Sequence, residues 1–113
     1  MLIEKHTKTK RLDNTFNNYI YSEADFDIET KKIYNFCVIQ FYKTNNKNIE
    51  IIKIDTSHGK PHMHKYYISK DLVETINTNS LQEAFNYAKA DIQKNWKKYL
   101  NYYKKKDLKE HIT

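Results

Sequence analysis

Very little in this sequence breaks or staples a backbone: 113 residues hold one glycine, one proline and one cysteine. The lone Cys37 excludes an internal disulfide, so stability must come from a packed core, as suits a reducing compartment. Its neighbours Phe36, Val38 and Ile39 are apolar, which reads as a small buried hydrophobe rather than a reactive thiol. With Gly59 and Pro61 confined to one short stretch, turns elsewhere must use Asn, Asp, Ser and Thr. No apolar run approaches the ~18 residues of a membrane span. Met1–His6 also lacks the apolar stretch of a secretion signal. These absences lead us to expect a soluble, cytoplasmic protein without membrane contact.

Arginine is nearly missing too. Arg11 is the only one, although Lys+Arg total 20 against 14 Asp+Glu and the formal charge is +6. Lysine is a point charge without the guanidinium fork that reads phosphate geometry, so the basic balance admits a polyanionic partner such as RNA without specifying it. The joint abundance of Lys, Asn, Ile and Tyr also fits an AT-rich coding bias. Aromatic rings are plentiful, with ten tyrosines and five phenylalanines, and each buried ring removes a large area from water. A chain of this length fits a single domain over residues 1–113.

Residues 1–18 are polar and weakly patterned and read as an arm or an irregular first strand. Residues 19–69 follow a two-residue period and read as a sheet. The strands expected there are Tyr19–Ile28, Ile33–Tyr42, Ile49–Asp55 and His62–Ser69, with turns at Glu29–Lys32 and Thr44–Asn48. Residues 70–79 are ambiguous between a short strand and a loop. Residues 80–106 are the clearest element. Ser80 and Glu83 have the spacing of a capping box. Leu81, Phe85, Ala88, Ile92, Trp96, Tyr99 and Tyr103 then fall on one stripe at about 100° per residue. Lys94, Lys97, Lys98, Lys104 and Lys105 project to the opposite side. The expected fold is α+β: an antiparallel meander of about four strands packed against one long C-terminal helix, with Trp96 buried.

The residues that could carry chemistry concentrate between Asp55 and Tyr66, in Asp-Thr-Ser-His-Gly-Lys-Pro-His-Met-His-Lys-Tyr. Strand alternation puts His62 and His64 on one face with Tyr66, and Met63, Lys65 and Tyr67 on the other. Asp55 ends the preceding strand and His58 rides the turn. Three sharp readings follow. Two imidazoles can cleave RNA by acid–base chemistry without a metal or other cofactor, with Lys60 or Lys65 neutralising the phosphate. His-X-His with Asp55 or His58 can hold a metal ion. The cluster can also form a pH-sensitive or anion-binding surface without catalysis. Against these stands a plainer one, in which Gly59 and Pro61 shape a hairpin whose histidines fill half-exposed positions.

The same segment resembles the Asp-x-x-His-Gly-x-Pro-His-x-His stretch of small prokaryotic proteins related to TumE toxins of toxin–antitoxin modules. The resemblance covers roughly residues 33–103, and the order of histidine-rich hairpin and C-terminal helix agrees with it. It implies a growth-inhibiting ribonuclease with an antitoxin partner. By motif match it carries over Asp55, His58, His62 and His64. In the leading reading His62 and His64 act as acid and base, His58 is a substrate-binding or orienting group, and Asp55 sets an imidazole tautomer. Lys60, Lys65, Tyr66 and Lys97 are the expected substrate contacts. Lys60 and Lys65 stand where that family usually has an arginine. The alternatives are a non-catalytic module that binds nucleic acid or protein through the basic helix face, and a metal-binding protein. A homodimer is compatible with each.

Overall fold

The computed structural model describes residues 2–56 and 59–112, the last without its side chain. Six strands form one antiparallel meander in the order β1 (Ile3–Arg11), β2 (Asn18–Asp27), β3 (Ile33–Lys43), β4 (Asn48–Asp55), β5 (His62–His64) and β6 (Val73–Thr75). A single helix, α1 (Leu81–Ile112), follows. The α+β class and the helix-on-sheet arrangement are as expected, but there are six strands instead of about four.

The two additional strands lie at the edges. β1 pairs with β2 along its whole length, yet every one of its nine residues is exposed. It buries nothing on either face, so it has no apolar alternation to betray it. β6 is a three-residue strand, also exposed throughout. The strand expected over His62–Ser69 is cut to His62–His64, because the chain turns there: Ile68 N–H donates to Lys65 O and Tyr67 N–H donates to Ile51 O. That turn swings Tyr67 under the helix, where its ring stacks on Tyr99 with centroids 5.0 Å apart.

Short polar turns replace the missing glycines. Between β2 and β3 the Asp27 carboxylate accepts from Glu29 N–H and Thr30 Oγ1, and Lys31 takes a left-handed φ of 64°. Register slips of one residue at Asp25/Phe26 and at Gln40/Phe41 mark bulges. The second leaves Ile51 and Ile52 both fully buried.

α1 starts where Ser80 Oγ accepts from Glu83 N–H at 3.1 Å. Glu83 in the first turn and Lys109 and His111 in the last complement the helix dipole. Its expected stripe is the buried one: Ala88, Ile92, Trp96 and Tyr99 sit in the core, joined by Ala84 and Leu100. They face Ile20, Ala24, Phe36, Val38, Ile52, Ile54 and Met63 of the sheet. One polar link crosses this interface, Gln40 Nε2–H donating to Trp96 O at 3.0 Å. Lys94, Lys97, Lys98, Lys104 and Lys105 are exposed.

Because the helix covers one face only, the other face of the sheet stays open, and directly opposed residues share it. The pairing aligns Thr9, Tyr21, Ile39, Lys53 and His64 in one row across the strands. Thr7, Glu23, Cys37, Asp55 and His62 form the next.

Candidate functional site

The loop from β4 to β5 is anchored at both ends. Thr56 clamps it to β3, since Phe36 N–H donates to Thr56 Oγ1 at 3.0 Å and Thr56 N–H donates to Phe36 O at 3.2 Å. Gly59 has a φ of 85°, a left-handed conformation that favours glycine, and its N–H donates to Thr56 O. Pro61 is buried, and its carbonyl accepts from Ile76 N–H beyond β6. This frame delivers β5 so that His62 opposes Asp55 and His64 opposes Lys53.

On the open face, His64 Nε2 lies 3.6 Å from Asp55 Oδ1, within ion-pair range and longer than a hydrogen bond. Lys53 Nζ lies 3.6 Å from the other carboxylate oxygen. The Asp55 side chain is 12% exposed and that of His64 23%, so the carboxylate is held below the surface and the imidazole reaches it. The Tyr66 ring stacks against His64 with centroids 5.7 Å apart. Lys106 of the helix holds the Tyr66 carbonyl at 3.3 Å. His62 is half-buried on the same face, about 7 Å along the strand from His64 by the two-residue rise.

Neighbouring groups set the charge of this face. Burial works against the Lys53 ammonium, but Cys37, Asp55 and Glu50 outweigh it and hold its pKa above the ordinary lysine value. Burial pushes the Cys37 thiol up to about 11, so it stays protonated at neutral pH and is no nucleophile. Tyr21 donates to Glu23 at 2.8 Å, which pushes the phenol up to about 12 and draws the carboxyl below its usual range.

The structure therefore brings together Asp55, His62, His64 and Tyr66, as strand alternation implied. His58 lies outside the described residues. Lys60 is exposed in the loop before Pro61. Lys65 is directed elsewhere: its Nζ pairs with Glu74 at 2.8 Å, on the strand neighbour rather than on the histidine face. Lys97 stands on the helix, across the sheet from the histidines, with its Nζ 5.7 Å from the Trp96 ring centroid. Two of the expected substrate contacts are thus remote from the cluster. Lys53 was missed. Its only sequence signal is its place two residues before Asp55 in a strand, which puts both on one face.

Among the described residues no three His, Cys, Asp or Glu side chains are grouped so as to hold a metal ion. No described helix is long and apolar enough to cross a membrane.

An open-faced antiparallel sheet backed by one helix, with paired imidazoles beside a carboxylate, defines a small α+β domain with one polar open face. The chain belongs to the family described as a domain of unknown function, DUF7718, whose model matches residues 4–109. Comparison with curated proteins and with solved structures returned no match.

Proposed function

We propose that this chain is a toxin-like ribonuclease that cleaves RNA by metal-independent acid–base catalysis at His62 and His64. The observation that carries the reading is the side-by-side placement of the two imidazoles, with Asp55 3.6 Å from one of them. A spacing of about 7 Å leaves room for a phosphodiester between the rings. One imidazole takes the proton of the 2′-hydroxyl as O2′ attacks the adjacent phosphorus. The other gives a proton to the departing 5′-oxygen, leaving a 2′,3′-cyclic phosphate. Lys53, a cation directly across the strand from His64, is the group placed to offset charge on the phosphorane, in the role first expected of Lys60 or Lys65. The Asp-x-x-His-Gly-x-Pro-His-x-His resemblance supports the same activity and adds an antitoxin as partner.

The second reading is a non-catalytic module that binds RNA or protein, favoured by the exposed lysines of α1. One experiment separates the two. Purified wild type should cleave RNA with a bell-shaped pH profile. His62→Ala and His64→Ala should each lose on the order of 10²-fold in rate while keeping the fold. If wild type cleaves no RNA and the variants stay folded and bind like wild type, the binding module takes its place. If both variants unfold, the cluster is structural.

A further inference from the structure

Two sets of four lysines differ in their partners. Lys5, Lys53, Lys65 and Lys106 each pair with a carboxylate. Lys8, Lys10, Lys31 and Lys89 make no ion pair among the described residues, and all four line one stretch of surface. That stretch exists because β1 extends the sheet past the reach of the helix. The side of β1 that would pack on α1 faces a gap instead.

Two clefts occupy the gap. One, of about 340 Å³, is lined by Lys8, Lys10, Lys89, Asn86 and Gln93 over a floor that includes Ile20. The other, of about 430 Å³, shares Lys8, Ser22 and Lys89 with it and adds His6, Lys31, Phe26 and Phe85. No carboxylate lines either cleft. Glu4 stands near the end of the row, 3.2 Å from His6 Nε2. Lysines on an edge strand also discourage edge-to-edge pairing. That role accounts for Lys8 and Lys10 but not for Lys89 on the helix or Lys31 in the β2–β3 turn.

We propose that this trough between β1 and α1 binds the backbone of single-stranded RNA. Lys8 and Lys10 stand about 7 Å apart on one side of the strand, a spacing that suits successive phosphates of an extended chain. Lys89, at the join of the clefts, faces them from the helix. Phe26 offers a ring for a base to meet, Phe85, held between Lys89 and Phe36, forms the apolar back of the cleft, and the amides of Asn86 and Gln93 offer donors and acceptors. His6 meets the Phe26 ring edge-on at 4.5 Å, and Lys89 Nζ lies 4.1 Å from the Phe85 centroid. Rings beside cations favour a nucleic acid over an acidic polypeptide, which needs only the cations. The trough lies across the sheet from His62 and His64, so it is a separate RNA contact. It rests on RNA being the partner and not on cleavage.

The test is fluorescence anisotropy with a labelled twelve-nucleotide 2′-O-methyl oligouridine, which cannot be cleaved through O2′. Wild type should bind it. Lys8→Gln with Lys89→Gln should weaken binding about tenfold or more and flatten the slope of log K against log salt by about 1.4, the loss of two single-strand phosphate contacts. Lys94→Gln with Lys98→Gln, the same charge change on the outer helix side, should leave affinity within about twofold. A wild type that binds this oligomer but cleaves no unmodified RNA would sink the nuclease reading and leave the trough standing. No binding by wild type, or equal weakening by both lysine pairs, would overturn the trough. So would equal affinity for polyglutamate lost with the Lys8/Lys89 pair, which would give the trough to an acidic polypeptide.

Discussion

The helix-covered face and the open face of the same six strands are built from opposite chemistry. Under the helix, Val38, Ile52, Ile54, Ala88 and Ile92 are fully buried, and Gln40 makes a polar link to the helix at Trp96 O. On the open face, Tyr21, Glu23, Lys53, Asp55 and His64 are held by hydrogen bonds and ion pairs around a protonated thiol. The first face holds the sheet together, and the second is free to carry reactivity. Stability and function should therefore respond to different substitutions.

The largest expected effect tests the covered face. Ile54→Ala should cost about 2–5 kcal/mol, because it opens a cavity in a fully packed site. Urea melts measure this, and a loss below ~1 kcal/mol would mean the two faces are not so different. His64→Ala, next to Ile54's partner Met63 but on the open face, should change stability by no more than about 1 kcal/mol. Next in size is the helix start. Ser80→Ala removes the acceptor for Glu83 N–H and should cost about 1 kcal/mol, with Ser80→Gly recovering most of it. A melt unchanged by Ser80→Ala would show that packing alone holds the first turn.

The smallest effect belongs to the open face and depends on pH. The Tyr21 hydroxyl, first among its partners, draws the Glu23 carboxyl below its ordinary value of 4.5. A depressed folded pKa means the unfolded chain takes up the proton first. The stabilisation is thus complete above the unfolded pKa and is lost as pH falls through the folded one. Tyr21→Phe should cost about 1 kcal/mol or less at pH ~7, and the cost should shrink as pH falls through the lowered pKa of Glu23. A cost that stays constant as pH falls would assign it to packing rather than to the hydrogen bond.

The elements legible in the sequence are those that bury a periodic face. α1 repeats its apolar residues every three or four positions and caps itself at Ser80, and β2, β3 and β4 alternate or run apolar. β1 reads from the sequence as no more than an arm or an irregular first strand, because a strand exposed on both sides leaves no periodic trace. β5 was read too long because the turn after His64 is enforced by Tyr67 docking on Ile51 and Tyr99, partners distant in sequence.

For the candidate site, the sequence by itself determined the cast: two histidines one residue apart on a strand must share a face, and Asp55 must stand close before them. It also determined that no disulfide could hold them. Only the tertiary structure decided which groups join the cast. The pairing of β4 with β5 set Lys53 opposite His64, while the two sides of the sheet separated Lys65 and Lys97 from the histidines. Alternation along one strand is a local property of the backbone. Register between strands, and the reach of a helix across a sheet, are set by how distant segments pack, and no window of sequence contains both partners.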